Sequence, residues 1–341
     1  MRAKTFRRLP RADLALTAMG LGCSQMGGLY RATTPKEAAG VFEAAWEAGL
    51  RYFDTAPFYG YTRSEHRLGM LLADCPRAAY VLSSKVGRLM RPDASVAPGD
   101  DGWATPYPFR PFYDYSYGGV MRSFEDSLQR LGVSRIDVLY VHDIGRFTHG
   151  GQHEHYWDQL TSGGGFRALD ELRRGGNVSA VGLGVNESEV VVDSLGEFDL
   201  DCVMLAGRYT LLDQSSLSPL LDECTRRGVG VVTAGVFNSG ILAGNNKFNY
   251  EDAPADVVAR VGALRAACAE FGVPIQAAAL QFPMAHAAVV SCVVGTRTAD
   301  QLIQNLDWFE QSIPDAFWDA VRERRLIDPA APVPSSGDMP C

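Results

Sequence analysis

The chain has 341 residues, of which 46% are hydrophobic, with a formal net charge of -8 and a pI of 5.3. An acidic balance of this kind argues against nucleic acid or an anionic membrane as partner, because both attract surfaces rich in Lys and Arg. No window approaches the ~18 consecutive apolar residues of a membrane-spanning helix, and the basic start MRAKTFRRLP has no apolar stretch behind it, so no signal peptide is expected.

The first candidate element is a hairpin, Lys4–Arg8 and Asp13–Thr17, turning through Pro10–Ala12 and suited to plug the floor of a barrel. Short apolar, β-branched runs then alternate with longer amphipathic segments. Ala18–Gly22 reads as a strand. Pro35–Ala48 carries Ala38, Val41, Phe42, Ala45 and Trp46 at helical spacing. Thr33 and Thr34 supply a cap before a first-turn proline, and Gly49 closes the segment. Strands are predicted at Arg51–Asp54, Tyr80–Ser84 and Asp137–Val141, with a helix over Tyr117–Leu131. Further along, Gly165–Arg174 reads as a helix before a strand at Ala180–Gly184 and another at Asp201–Leu205. Ser215–Arg227, Ala255–Phe271 and Ala299–Phe309 read as helices, and Gly230–Thr233 and Val290–Val294 as strands.

Each strand is apolar almost throughout, as expected when both faces are covered. Eight strand-then-helix units predict one α/β domain over 1–341, a closed (β/α)8 TIM barrel with an N-terminal β-hairpin. An open doubly wound sheet is disfavoured, because Gly20, Gly22, Gly27 and Gly28 lack the spacing of a dinucleotide-binding turn. Seven cysteines (Cys23, Cys75, Cys202, Cys224, Cys268, Cys292 and Cys341) form no C-x-x-C pair. Free thiols in a reducing compartment, the cytoplasm, are expected.

Two connections are too long for plain turns. Arg88–Ser116 holds Trp103, Tyr107, Phe109, Phe112, Tyr113 and Tyr115 among five prolines, with no pattern of its own, and reads as a lid. Gly145–Gly164 holds His149, His153 and His155. Three histidines this close permit zinc, but the Gly-rich, polar setting favours a solvated loop, and no metal is expected. Both connections leave the C-terminal ends of strands, where barrel active sites are built.

The last residues of three successive strands carry the chemistry. The second ends in Asp54 (FDTAPFYG), the third runs into Lys85 (VLSSKVG) and the fourth into His142 (VLYVHD). Tyr59 sits five residues past Asp54, on a loop over the same rim. A lysine ammonium beside a phenol favours the phenolate and lowers its pKa. Asp54 would hold that ammonium, and His142 would orient a substrate oxygen. The set makes a proton donor or acceptor beside a carbonyl or alcohol, which pairs naturally with hydride transfer from nicotinamide.

With these residues the chain resembles the aldo-keto reductase superfamily, whose pattern places an Asp and a Tyr in DTA-x-x-YG, then a strand-end Lys and a strand-end His. The resemblance implies that Asn186 (GVNES) binds the nicotinamide carboxamide and that Tyr209 (AGRYTLL) stacks on the nicotinamide ring. It implies a pyrophosphate loop at Phe237, Asn238, Ser239 and Gly240, and adenosine-phosphate contacts at Gly295, Thr296, Arg297, Gln301, Gln304 and Asn305. Backbone N–H groups of Asn238–Gly240 and the helix start after Thr296 suit phosphate. Three departures stand out. Ala206 replaces a Gln common in relatives, and Arg208 adjoins Tyr209. Gly295 and Gln301 occupy the positions of the strongest 2′-phosphate grips, Lys and Arg, which favours NAD, while Arg297 leaves NADP possible.

The segments GGLYRA, VHDIGRFTHG and LAGRYTLL resemble a branch that oxidises the hemiacetal carbon of an aldose (L-fucose, L-galactose or a D-threo-aldose) to a lactone, with Tyr59 as base. Oxidation of pyridoxal to its lactone is the neighbouring alternative. Tyr30, Phe58, Trp103 and Phe112 are candidate ring-binding walls, equally explicable as lid packing. From other classes, a nicotinamide-binding regulatory subunit and a barrel lyase using Lys85 as a Schiff base are weighed and ranked lower. The sequence carries no signal for oligomeric state.

Overall fold

A computed structural model describes residues 1–249 and 251–335 of the chain. Alternation along the apolar runs separates two clusters. Tyr52, Val81, Val138, Tyr140, Val232 and Val290 pack together with Leu9 and Leu16. Phe53, Leu82, Leu139, Val141, Val203 and Val231 belong to a second, larger cluster with the helices. Successive strand residues face opposite sides, so runs apolar throughout suit a ring of strands with a filled interior and a covered exterior.

In chain order, β1 (Phe6–Arg8) and β2 (Ala15–Thr17) form an antiparallel hairpin, Phe6 opposite Thr17. Leu9 and Leu16, just inside it, plug the barrel floor. Burying each leucine contributes roughly 1.5–3 kcal/mol. Gly230 makes room for this plug: a Cβ there would lie 2.5 Å from Leu9 Cδ2. Next come β3 (Met19–Gly22), α1 (Pro35–Glu47), β4 (Tyr52–Asp54), α2 (Arg63–Leu72) and β5 (Val81–Val86). Helix α1 starts as the sequence suggests. Thr34 Oγ1 accepts the Glu37 N–H at 3.1 Å while Glu37 accepts the Thr34 N–H at 2.7 Å, a reciprocal cap.

The lid follows as β6 (Arg88–Pro92) and β7 (Phe109–Tyr113), then α3 (Tyr117–Leu131) and β8 (Val138–His142). After them come α4 (Arg146–His149), α5 (His153–Leu160), α6 (Gly165–Arg174), β9 (Ala180–Val185), α7 (Glu189–Glu197) and β10 (Cys202–Ala206). The chain continues through α8 (Asp222–Arg227), β11 (Gly230–Ala234) and a small pair, β12 (Lys247–Phe248) and β13 (Glu251–Asp252). It ends with α9 (Ala255–Glu270), α10 (Ile275–Gln281), β14 (Val289–Gly295), α11 (Ala299–Glu310) and α12 (Asp315–Glu323).

Among the described residues, eight parallel strands close the barrel in the order β3, β4, β5, β8, β9, β10, β11, β14 and back to β3. The eight sequence-predicted strands are these eight. No helix among the described residues is long and apolar enough to cross a membrane. The six described cysteines are free thiols, and Cys341 lies outside the described residues.

Three expectations change. The Arg88–Ser116 connection has a pattern after all, because β6 and β7 pair antiparallel with Arg88 opposite Tyr113. Two of its five prolines, Pro92 and Pro111, sit on a two-stranded ribbon, where a missing N–H is tolerated. The helix expected over Ser215–Arg227 is broken at Ser218, whose backbone is extended at φ -135° and ψ 135°. A residue before proline is pushed out of the helical region, and Pro219 follows. The histidine connection is not a solvated loop. It folds into α4 and α5, with His149 and His153 buried and only His155 exposed.

Candidate active site

Register brings the ionisable strand ends together. Asp54 pairs with Ser83, Lys85 with Tyr140, and His142 with Gly184. Tyr52 and Tyr140 point into the barrel. Asp54 and His142, two residues on from each, continue that inward register at the C-terminal rim.

Lys85 Nζ donates to Asp54 Oδ2 at 2.7 Å, to Oδ1 at 2.9 Å and to the Thr55 carbonyl at 3.0 Å. The Ser83 hydroxyl donates to Asp54 Oδ1 at 2.7 Å. Both charged side chains are 3% exposed. Burial works to lower the Lys85 pKa, but Asp54 and Tyr59 outweigh it and the ammonium is held more firmly than usual. Its Nζ lies 4.9 Å from the Tyr59 ring centre. For Tyr59 the balance is the reverse of the sequence expectation. Loss of water around the phenol raises its pKa, and Lys85 offsets only part of that. Tyr59 is therefore a phenol at neutral pH before any ligand adds its own field.

His142 faces Tyr59 edge-on, with ring centres 6.0 Å apart. Burial, then the charges of Arg88 and Lys85, hold its pKa well below the usual imidazole range, so it is neutral. Beneath it, the Tyr115 hydroxyl lies 2.8 Å from the His142 carbonyl and 2.9 Å from His149 Nε2. His149 thus supports the rim from behind. Among the described residues no group of three His, Cys, Asp or Glu side chains is arranged to hold a metal ion.

Of the four proposed ring-binding residues, two meet the tetrad. Phe58 lies 5.5 Å from Trp103 and 6.3 Å from His142, and Trp103 lies 5.9 Å from Tyr59. The lid carries Trp103 there through backbone contacts. Leu29 bridges to Trp103, Tyr30 N donates to Gly102 O at 2.7 Å and Ala104 N donates to Gly28 O at 2.9 Å. The indole Nε1 is buried without an acceptor among the described residues. Phe112 is placed on the lid ribbon under Arg91, whose guanidinium is 5.8 Å from the ring, and Tyr30 is 62% exposed. Neither is brought to the tetrad by any ring contact described.

Around the rest of the rim the placements differ in kind. Asn186 follows β9 and donates to Asp143 Oδ1 at 3.1 Å. Tyr209 does not present its ring at the rim, as stacking on nicotinamide requires. It is 1% exposed and packs against Phe282 and His286, 5.4 and 5.5 Å away, in the helical layer. Arg208 is tied to Asn249 at 2.8 Å and lies 3.7 Å from Asp213. In the segment after β11, the Asn238 and Gly240 N–H groups donate to Gly235 and Phe237 carbonyls at 2.8 and 2.9 Å, so they are not open phosphate donors. The Asn238 side chain accepts from Thr210 Oγ1 at 2.7 Å and donates to Gly207 O at 3.2 Å, stitching two rim loops together. Phe237 and Ser239 flank it, each partly buried.

At β14 the Thr296 hydroxyl is buried without a partner among the described residues. Gln301 Oε1 accepts the Arg297 N–H at 3.0 Å, Gln304 is exposed and Asn305 is buried. The Arg297 guanidinium is already engaged by the Leu29 and Arg31 carbonyls. Gln25 covers Gly295: a Cβ there would lie 2.1 Å from Gln25 Oε1.

Sequence reasoning missed a buried ion pair beside the tetrad. Arg88 Nη2 lies 3.1 Å from Asp143 Oδ2, with both side chains about one-tenth exposed, at 10% and 11%. Asp143 Oδ2 is also 3.5 Å from His142 Nε2. The one signal was adjacency, an acid directly after the strand-end histidine and a cation three residues after Lys85.

A parallel barrel gathers Tyr59, Lys85, Asp54 and His142 at its rim, an arrangement suited to proton transfer at a carbonyl or alcohol. The chain belongs to the aldo-keto reductase family, whose profile matches residues 18–325. It is an oxidoreductase of a family that uses nicotinamide cofactors. It is 52% identical over 340 residues to a pyridoxal 4-dehydrogenase of Microbacterium luteolum, covering 96% of this chain and 99% of that one. It is 40% identical over 325 residues to a D-threo-aldose 1-dehydrogenase of a Pseudomonas species, covering 93% and 96%. The holo form of aldo-keto reductase AKR11C1 from Bacillus halodurans shares the fold, with a TM-score of 0.72 and 22% identity over 98% of this chain and 100% of that one.

Proposed function

We propose that this enzyme oxidises a cyclic hemiacetal to a lactone, with pyridoxal as the substrate and NAD as the cofactor. The sequence alone ranks an aldose first. The order is reversed here by the 52% identity to a pyridoxal 4-dehydrogenase against 40% to an aldose dehydrogenase. The observation that carries the chemistry is Tyr59 set among the Lys85 ammonium, neutral His142 and the Phe58–Trp103 wall. An aromatic substrate ring suits that wall by offset or edge contacts. The unpaired Trp103 indole N–H suits a substrate oxygen, since buried donors are rarely left unmatched.

The proton sequence follows from these groups. The hemiacetal hydroxyl lies against Tyr59 and His142. His142, neutral, donates a hydrogen bond to the substrate oxygen and fixes its position. Tyr59 as phenolate takes the hydroxyl proton while the carbon–hydrogen bond gives up a hydride. Lys85 stabilises the phenolate, and Asp54 keeps Lys85 charged. The nicotinamide, when bound, supplies the hydride acceptor. Asn186 would hold its carboxamide, and Thr296, Arg297, Gln301, Gln304 and Asn305 its adenosine end. The buried, unpartnered Thr296 hydroxyl at the end of β14 fits that assignment. Arg297, turned onto backbone carbonyls, and Gln25 over Gly295 leave little to grip a 2′-phosphate, which supports NAD over NADP.

Initial rates at the reduced-nicotinamide absorbance band test this reading. The panel is pyridoxal, L-fucose, L-galactose and a D-threo-aldose, each with NAD and with NADP. Pyridoxal with NAD is expected to give the highest kcat/KM. Turnover of an aldose with none of pyridoxal restores the aldose reading.

A further inference from the structure

We infer that Tyr140, Tyr52 and Ser83 form a one-way chain of hydroxyl donors inside the barrel, positioning residues that act on Tyr59 through Asp54 and Lys85. The inference rests on the proposed role of Tyr59 as the base. Barrel interiors of this kind are filled mostly by branched aliphatic side chains. Val81, Val138, Val232 and Val290 do so here, but Tyr52 and Tyr140 stand among them, both 0% exposed. Gly20 makes room for the first: a Cβ there would lie 2.6 Å from Tyr52 Cδ1. The two phenol oxygens are 3.2 Å apart, and Tyr52 Oη is 3.1 Å from Ser83 Oγ. Ser83 Oγ is in turn 2.7 Å from Asp54 Oδ1.

The direction of every proton is fixed from one end. A carboxylate only accepts, so the one Ser83 hydroxyl proton is committed to Asp54. Tyr52 must then donate to Ser83, and Tyr140 to Tyr52. Three O–H dipoles therefore point at Asp54 Oδ1, the oxygen that also accepts from Lys85 at 2.9 Å. In a dry interior such dipoles polarise one another. They draw off part of the carboxylate charge that Lys85 would otherwise balance alone. More of the ammonium field is left to favour the Tyr59 phenolate, and less of the Asp54 field is left to oppose it. The groups facing Tyr59 are Lys85 on β5, Asp54 on β4, and His142 and Asp143 at the end of β8. Those facing the two phenols are Asp54 and Cys202 on β10, and Cys23, a thiol kept protonated by burial, adjoins Asp54. Asp54 belongs to both sets, so the chain reaches Tyr59 through it.

The test is the pH profile of kcat for oxidation with NAD+ of pyridoxal, or of whichever substrate in the panel above turns over fastest. It runs from about pH 6 to 10, up to the ordinary phenol range. Wild type, Ser83→Ala, Tyr52→Phe, Tyr140→Phe and Tyr59→Phe are compared, so ionisation of the substrate itself is common to all. In Ser83→Ala the pH of half-maximal rate is expected to rise by about 0.5–1, a fraction of one hydrogen bond to a charged group. The rise should be smaller in Tyr52→Phe and smallest in Tyr140→Phe, each one hydrogen bond further from Asp54. A role in packing alone would lower the Tm of these variants and leave the profile in place. An unmoved or downward profile in Ser83→Ala and Tyr52→Phe overturns the inference. Should Ser83→Ala not fold, Tyr52→Phe, which keeps the ring, decides the question by itself. Tyr59→Phe separates the two levels. If it keeps the wild-type rate, the assignment of Tyr59 fails and takes the inference with it. If it loses activity while Ser83→Ala and Tyr52→Phe keep the wild-type profile, only the inference fails.

Discussion

Replacing Asp54 with asparagine leaves Lys85 as a buried cation without a counter-charge. The pair is bidentate, at 2.7 and 2.9 Å, and both side chains are 3% exposed, so water cannot take over. Breaking such a pair by removing one partner costs about 3–5 kcal/mol. With an unfolding entropy of roughly 2.1 cal/mol/K per residue, a chain of 341 residues loses on the order of 4–7 °C in Tm for that penalty. Lys85→Met should cost a similar amount, since it strands the carboxylate with the Ser83 hydroxyl as its remaining donor. The assay is thermal melting at pH 7 without cofactor for Asp54→Asn, Lys85→Met and the double variant. The double variant removes both charges, so its loss should be close to that of one single variant. Additive losses, or a loss below about 1 °C for Asp54→Asn, would refute the claim that the two charges sustain each other.

Other outcomes follow from the same geometry. Tyr59→Phe should lower kcat by about 10²–10⁴-fold while leaving NAD+ affinity within about twofold, and an active variant would remove Tyr59 from the proton path. Since loss of water raises the Tyr59 pKa, wild-type oxidation should accelerate as pH rises into the alkaline range. His149 is pushed down to about 4 by burial, then by Arg88, from an ordinary 6.5. The unfolded chain therefore binds more protons between these values, so stability present above pH 6.5 is lost as pH falls toward 4. Neutral His142 adds in the same direction, and His149→Phe should flatten the fall in Tm between pH 7 and 4.5; unchanged slopes would count against it. Gly182→Ala would place a Cβ 2.0 Å from the Cys202 carbonyl oxygen and should cost more than ~3 kcal/mol or abolish soluble expression. Gly262→Ala in α9, with nothing within 4 Å, should stabilise by about 0.5–1 kcal/mol.

Much of the site is legible in the chain because a strand alternates with period two. Once Tyr52, Val81 and Tyr140 are inward, Asp54, Ser83, Lys85 and His142 must be inward too, at the same end of neighbouring strands. The helices missed by periodicity were α2, α4, α5, α7, α10 and α12, short segments of ten residues or fewer. In so short a stretch, one or two buried polar residues, such as Ser64 and Glu65 in α2, blur the apolar stripe. Glu65 is buried because Ser84 and Arg130 meet it from two other elements, which no local pattern announces.

The sequence by itself determined the barrel, the hairpin plug and the gathering of Asp54, Lys85 and His142 at one rim, because each follows from local alternation and from what stands at a strand end. Only the tertiary structure decided which loop residues face the rim. Tyr209 carries the right side chain at the expected place in the chain, yet its ring is buried on Phe282 and His286, more than 70 residues further on. His149 looked solvated and is instead a support under His142 through Tyr115. Arg88, Asp143 and Asn186 meet because β5, β8 and β9 are adjacent in the ring, and loop side chains carry no period from which such a meeting could be read. Alternation governs the strands; beyond their ends, direction is set by whichever distant group offers the hydrogen bond, the counter-charge or the apolar cover.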